Sequence, residues 1–309
     1  MPMNSVCVLL STYNGEKYLT PLLDSVVSQK GVALSVVARD DGSKDNTPSI
    51  LSRYKEQGKI TRLITDSNVG FARSFHRLCT EAVPSDYYAF CDQDDIWDSD
   101  KLLCAVEKLN ACPNDIPLVY WCAFRSIDKN GKVYKQRSKR LIFRNQYNPL
   151  ANSLNCNDVR GCTCVFNQKA MDMILTLKEG SYRYHDWTLL LIASAFGMDV
   201  HDPEPHISYR CHDTNCYGPL KFNFQSLKRG IKYVFNVELN HNRSKEAQEM
   251  LELFGDKLSP EQLHYVQCAA NYLKDKKIKK QLLKCKRELN AIPAPMRWFI
   301  KFAIHTNKY

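Results

Sequence analysis

The chain lacks a hydrophobic run long enough to cross a bilayer. Its longest uncharged apolar stretch, Trp187 to Met198, is 12 residues, against the roughly 20 that a spanning helix needs. No basic segment precedes the first apolar run, because the chain opens Met1-Pro2-Met3-Asn4-Ser5, so no secretory signal is read. No two cysteines stand in C-x-x-C spacing. Cys162-x-Cys164 and Cys211-His212 with Cys216 therefore do not make a zinc ribbon. The 13 cysteines, an odd number, read as free thiols in a reducing cytoplasm. Internal repeats and low-complexity tracts are absent apart from the Lys-rich 274–286.

Net charge is also missing, but only from part of the chain. Residues 1–215 carry 25 Lys+Arg and 25 Asp+Glu, whereas 216–309 carry 18 and 8. The whole formal charge of +10 on 309 residues therefore sits in the last 94. A nucleic-acid binder would interleave basic and aromatic residues over its main domain, and this main domain is neutral. A neutral body with a basic end suits a catalytic domain joined to something that touches an anionic surface. The composition, 44% hydrophobic and 25% charged, is that of a globular protein with a sizeable core.

Two hydrophobic periods alternate through the first hundred residues. Ser5–Ser11, Leu34–Ala38, Ile60–Ile64 and Tyr87–Cys91 are apolar runs of strand length, and Glu16–Ser28, Asn46–Gln57 and Phe71–Ala82 repeat at helical spacing. Asp45 is placed to cap the second helix ahead of Pro48. This cadence predicts a parallel sheet covered on both faces. Further on, strands are expected near Leu118–Phe124 and Thr163–Phe166, a hairpin-like stretch over 125–144, and a helix from Asp186 to Phe196. Tyr209–Gly218 reads as a polar loop, and 221–237, 241–254, 260–289 and 296–304 as helices.

Such sheets bind ligands outside the carboxyl ends of their strands. Four loops lie there: Thr12-Tyr13-Asn14-Gly15, Asp40-Asp41-Gly42-Ser43, Asp66 to Gly70, and Asp92-Gln93-Asp94-Asp95. Asp92 and Asp94 could offer oxygen ligands to a hard divalent cation that bridges substrate phosphates. The alternative is an acidic turn in which Asp95 or Asp98 caps the next helix. Asp40 could accept from a pyrimidine imide, with Gly42 allowing a tight turn. Tyr13 could stack on the base, with amide contacts from Thr12 and Asn14. The N–H groups of Asn68-x-Gly70 could face phosphate or sugar.

In order, STYNGEKYL, RDDGSKDNT, NVGFARSF, CDQDDIW, RGCTCVFN, HDW and YRCH resemble the family-2 nucleotide-sugar glycosyltransferases of GT-A fold. The likeness runs over roughly residues 5–218 and is greatest to the bacterial rhamnosyltransferase-like branch that builds O-antigen, capsule or wall polysaccharide. It implies a GT-A α/β domain over 1–218, a helical C-terminal region over 219–309, and inverting, Mg²⁺- or Mn²⁺-assisted transfer from a nucleoside-diphosphate sugar. Thr12, Tyr13, Asn14, Asp40, Asn68, Asp92 and Gln93 would then hold the donor nucleotide. Asp94 would ligate the metal, with His212 as second ligand or diphosphate contact. Asp186 would be the general base, with a helix cap as the alternative. Arg160, Gly161, Cys162, Thr163, His185 and Trp187 would line the acceptor side, although Trp187 could equally be core. Thr188, where an aromatic is expected, and Cys211 and Asp213 beside His212 depart from the branch's pattern.

The donor implied is dTDP-rhamnose, with a UDP-hexose or UDP-HexNAc as the alternative, and the acceptor a lipid-linked saccharide. A sugar-phosphate nucleotidyltransferase would need a glycine-rich, Arg-containing loop where Thr12-Tyr13-Asn14-Gly15 stands. A lipid-linked acceptor places the enzyme on the inner face of the plasma membrane. Two basic, apolar helices suit that surface: Arg297, Lys301 and His305 with Phe299, Ile300 and Phe302, and Lys228, Arg229 and Lys232 with Phe224, Leu227 and Ile231. Packing on the domain, or on a second copy in a homodimer, is the alternative.

Overall fold

The computed structural model describes residues 3–136, 147–157, 159–180, 184–211, 242–290, 292 and 294–309. Two compact units emerge, Met1–Arg140 with Val159–Asn215, and Leu141–Asp158 with Cys216–Tyr309. A single cut at 218 does not reproduce this partition, because the insert Leu141–Asp158 clusters with the C-terminal helices.

In the first unit, β1 (Ser5–Thr12), β2 (Ala33–Asp40), β3 (Arg62–Thr65) and β4 (Tyr87–Cys91) alternate with α1 (Glu16–Val27), α2 (Thr47–Glu56) and α3 (Phe71–Thr80). They pair in parallel in the order β3-β2-β1-β4. Beta-strand geometry sends alternate side chains to opposite faces. Val6, Val8 and Leu10 of β1 accordingly join one core with Leu19, Leu22 and Val26 of α1. Cys7 and Leu9 join the other, with Phe75 and Leu78 of α3. Burial on both faces is why these strands are continuous apolar runs. Asp45 accepts from the Thr47 N–H at 3.0 Å, at the start of α2.

Beyond β4 the sheet becomes mixed. A short β5 (Ile96–Trp97) and α4 (Lys101–Asn110) lead to β6 (Leu118–Ile127) and β7 (Val133–Lys135), which form the expected hairpin. After α5 (Pro149–Asn155) come β8 (Cys164–Asn167), α6 (Gln168–Leu175), α7 (His185–Phe196) and β9 (Met198–Arg210). β8 runs antiparallel between β4 and β6, and β9 lies parallel to β6 and antiparallel to β5. The expected parallel sheet holds through β1 to β4, and beyond it parallel pairing recurs between β6 and β9. The 13-residue β9 escapes a reading by periodicity because Pro203 and Pro205 interrupt it, and its register against β6 shifts between Cys122 and Arg125.

In the second unit, α8 (Asn242–Phe254), α9 (Pro260–Asn271), α10 (Lys276–Lys284), α11 (Lys286–Asn290) and α12 (Ala294–His305) are described with α5. The single helix expected over 260–289 is three. Ser259 and Gln262 form a capping box for α9, and the Asp275 side chain caps α10. Asn155 centres the polar core: it donates to Tyr265 at 2.6 Å, accepts from Tyr309 at 3.1 Å, and its carbonyl accepts from buried Arg243 at 3.0 Å. The helix expected over 221–237, with Lys228, Arg229 and Lys232, lies outside the described residues. Among the described residues no helix is long and apolar enough to cross a membrane, and the twelve described cysteines are free thiols.

The junction of α7 and β9 admits only glycine. A Cβ at Gly197 would lie 1.8 Å from the Pro117 carbonyl oxygen, the group that accepts from Met198 N–H at 2.9 Å to start the β6–β9 pairing. Gly197→Ala should cost about 1–3 kcal/mol through overpacking, read as a lower urea midpoint with an unchanged slope.

Candidate active site

Strand order reverses between β1 and β4, so the loops after these two strands flank the crevice where α/β sheets bind ligands. Gln93 joins them. Its side chain accepts from the Tyr13 N–H at 2.8 Å and donates to the Tyr13 carbonyl at 3.0 Å. A Cβ at Gly15 would fall 2.2 Å from Gln93 Oε1, so the latch requires glycine there. Asn14, at φ 50°, donates its N–H to Ser43 Oγ at 2.8 Å and accepts from the Lys44 N–H at 2.8 Å. Tyr13 is 47% exposed on this rim.

Asp40 is fully buried. Its carboxylate accepts from the Thr12 hydroxyl at 3.0 Å and the Ser43 N–H at 2.9 Å, as well as from the Ser43 hydroxyl. The expected contact with a base is thus replaced by an inward one, and Asp40 shapes the loops that would meet it. Gly42 makes the turn at φ 79°. The N–H groups after Asn68 are not directed at a ligand either: Val69 and Gly70 both donate to Asp41 at 2.9 Å. Asn68 itself is exposed. Asp41 is held by Arg39, a fully buried guanidinium that also donates to Ser74, Asp66 and the Ser67 carbonyl.

The acidic loop after β4 meets the start of α7. Burial, then the Asp94 and Asp186 charges, push the Asp92 carboxyl up to about 7, and a Cys162 hydrogen bond opposes them. Asp95 is fully buried and lies well above the carboxylate range, through burial and then Asp94 and Asp92. It caps nothing: Oδ1 accepts from the Arg210 N–H at 2.9 Å, and Oδ2 has no hydrogen-bond partner. Asp98 pairs with Arg125, and the N-terminus of α4 is closed by Gln29, which accepts from the Leu102 N–H at 3.0 Å. The capping alternative for the acidic loop therefore fails. Arg210 fixes the loop further, donating Nε to the Asp94 carbonyl at 2.7 Å.

Asp92, Asp95 and Cys162 place one ligand atom each within 4.8 Å of one another, so the metal-type trio contains Asp95 where Asp94 is expected. The burial of Asp95, the raised carboxyls and the orphaned Asp95 Oδ2 are features that a hard divalent cation would satisfy. Burial, then Asp95 and Asp92, raise the Cys162 thiol well above its usual range.

Asp186 occupies the first turn of α7 and accepts from the Trp187 N–H at 2.7 Å, while Tyr184 holds the cap position. His185 is buried in an aromatic box. It stacks on Phe75 at 3.9 Å between centroids and meets Phe90 edge-on at 4.8 Å, and neither ring nitrogen has a hydrogen-bond partner. Burial lowers its pKa to about 4, so it is neutral at physiological pH. A Cβ at Gly161 would come 2.1 Å from His185 Nε2. Gly161, Cys162 and Thr163 are buried, and only Arg160 of that stretch is partly open. The expected acceptor wall is thus largely packing beneath the acids. Trp187 is 7% exposed. His212 lies outside the described residues.

Sequence reasoning missed Arg39, Asp41, Arg210 and Lys101. Lys101 is fully buried, with Nζ 3.5 Å from the Trp97 ring centroid and no hydrogen-bond partner. Burial lowers its pKa. Nothing in a Lys at a helix start signals this.

Comparisons with known proteins now define the class. The glycosyl transferase family 2 model matches residues 7–175. The dTDP-rhamnosyl transferase RfbG of Shigella flexneri is 28% identical over 225 residues, 68% of this chain and 73% of that one. A glycosyltransferase of Rickettsia typhi is 24% identical over 213 residues, 67% of this chain and 64% of its own length, so the chain spans under two thirds of that relative. Among solved structures, S. aureus TarS in complex with UDP-GlcNAc aligns with a TM-score of 0.55 at 14% identity, over 99% of this chain and 93% of that one. The fold is GT-A, with C-terminal helices. The chain belongs to glycosyl transferase family 2 and is a glycosyltransferase.

Protonation of Asp92 sets a pH dependence. Between the ordinary carboxyl value, 3.8, and about 7, the folded protein binds a proton that the unfolded chain has released, so stability falls as pH rises. In chelator-treated protein Asp92→Asn should make that decline shallower in urea titrations from pH 4 to 8.

Proposed function

We propose that this glycosyltransferase transfers rhamnose from dTDP-rhamnose, with inversion, to a lipid-linked saccharide in bacterial surface-polysaccharide synthesis. The observation that carries the mechanism is the gathering, in the loop after β4, of Asp92 and Asp95 oxygens within 4.8 Å of each other and of the Cys162 sulfur. The donor follows the RfbG likeness.

Tyr13 offers its exposed ring to the base, and Thr12, Asn14 and Asn68 line the nucleotide side. Gln93 holds that loop to the acids. Asp92 and Asp94 would hold a Mg²⁺ or Mn²⁺ ion, with Asp95 behind them and His212 as a further ligand or diphosphate contact. Such an ion, when bound, neutralises the charge that builds on the diphosphate leaving group. The Asp186 side chain takes the proton of the acceptor hydroxyl as that oxygen attacks the anomeric carbon opposite the diphosphate. Neutral His185 and Gly161 pack behind Asp186, and Arg160 faces the acceptor.

Asp186→Asn and Asp94→Asn should each lower turnover about 10²–10⁴-fold, measured as nucleoside-diphosphate release, at a urea midpoint no lower than that of the wild type. Near-normal turnover in either would remove that residue from the mechanism. A donor panel should favour dTDP-rhamnose, and preference for a UDP-hexose or UDP-HexNAc would replace the donor.

Membrane contact is proposed for α12. Ile300, Ala303 and Ile304 are fully buried, while Trp298 and Phe302, one turn apart, are 72% and 54% exposed. With Arg297 and Lys301 beside them they suit an anionic inner-leaflet surface. Sedimentation with phosphatidylglycerol vesicles should recover the protein, and Trp298→Ala/Phe302→Ala should release it. A dimer by light scattering that the same variant splits would assign the face to a second copy instead.

A further inference from the structure

A second group of metal-ligating side chains lies at the other end of the acidic segment, and none of its members has a part in the transfer reaction. Asp100 is the N-cap residue of α4, and its side chain makes no cap hydrogen bond. Cys104 stands one helical turn later, with its N–H donating to the Asp100 carbonyl at 2.9 Å, so the two side chains share one face. His206 comes from β9. The antiparallel β5–β9 pairing, Trp97 against Ile207, and the 2.9–3.0 Å contacts around it bring His206 beside the start of α4: Asp98 N–H donates to the His206 carbonyl at 3.0 Å.

The imidazole lies between two carboxylates. Nδ1 is 3.4 Å from Asp100 Oδ1, and Nε2 is 3.4 Å from Asp202 Oδ2. Asp202 is itself buried, accepts from the Tyr120 hydroxyl at 3.0 Å and lies 3.6 Å from Lys108 Nζ. Ligand atoms of Asp100, Cys104 and His206 fall within 4.8 Å of one another. Donors around a tetrahedral zinc-sized ion are about 3.3–3.8 Å apart, given bonds of ~2.0–2.3 Å. Asp100, whose side chain is 56% exposed, has the freedom to close the remaining distance.

We propose that Asp100, Cys104 and His206 form a binding site for a borderline divalent cation of the Zn²⁺ class, distinct from the acids that serve the donor. Ion pairing alone explains His206 between two acids, but it gives no role to a thiol at the third corner. Sulfur, nitrogen and one carboxylate oxygen together select such an ion over Mg²⁺. Asp202 stands behind the imidazole as carboxylates do behind zinc-bound histidines, fixing the ring's orientation. On binding, the Cys104 thiol gives its proton to solvent and the thiolate takes the ion. The site is structural: it ties the first turn of α4, which follows the Asp92–Asp95 loop, to β9, whose Arg210 holds that loop from the other side.

The test uses the full-length protein, stripped with chelator and titrated with Co²⁺ as the optical probe. One equivalent should give a tetrahedral cobalt spectrum with a sulfur-to-cobalt charge-transfer band, and Zn²⁺ should bleach it. Cys104→Ser should abolish the band. Asp100→Asn, a change at an exposed side chain that leaves the fold intact, should weaken binding at least 10-fold, and Asp94→Asn should leave band and affinity unchanged. Zn²⁺ should raise the urea midpoint of the wild type and not of Cys104→Ser. Absence of the band in the wild type, or its survival in Cys104→Ser, would overturn the assignment.

Discussion

Like charges crowded at one end of the sheet set the terms for the rest of the first unit. Asp92, Asp94, Asp95 and Asp186 converge, Asp95 and Asp186 buried and Asp92 and Asp94 partly open, and their repulsion must be met or neutralised. The protein meets part of it by protonation, as the raised Asp92 and Asp95 show. It meets another part with fixed dipoles, the backbone N–H of Arg210 and the Cys162 thiol. On the proposed function, a cation arriving with the donor diphosphate would relieve what is left over, and the surrounding sheet supplies the stability that the acids consume.

The opposite problem, a buried cation, is solved at Arg39. Its guanidinium spans the loops after β2 and β3 and the first turns of α3, and Asp41 returns that anchorage to Val69 and Gly70. Removing either partner would leave a buried charge unpaired, which is far more costly than never having had the pair. The loops after β2 and β3 are consequently braced against each other through Arg39 and Asp41.

How much of this could be read from residues alone follows physical lines. The strands β1 to β4 and their helices are buried on both faces or amphipathic, so their periods show plainly. β9 carries Pro203, Pro205 and alternating acids, because its outer parts pair irregularly and face solvent, and it has no apolar signature to read. The 260–289 helix was over-extended because Lys and Leu propensity continues through Asp275, and only the cap geometry marks the break. For the candidate site, the strand-end rule pointed to the loops after β1, β2, β3 and β4. It could not say which way a carboxylate points: Asp40 turns inward, Asp95 joins Asp92, and Asp41 consumes the N–H groups that seemed available. Arg39 and Lys101 were invisible because burial of a cation depends on partners distant in sequence.

The amide of Gln93 meets the Tyr13 backbone as one strand meets another, with one bond in each direction. Two bonds of opposite sense resist both sliding and hinging, so the base-side loop and the acidic loop travel as one body. On the proposed function, a spent nucleoside diphosphate would leave with these two loops still joined.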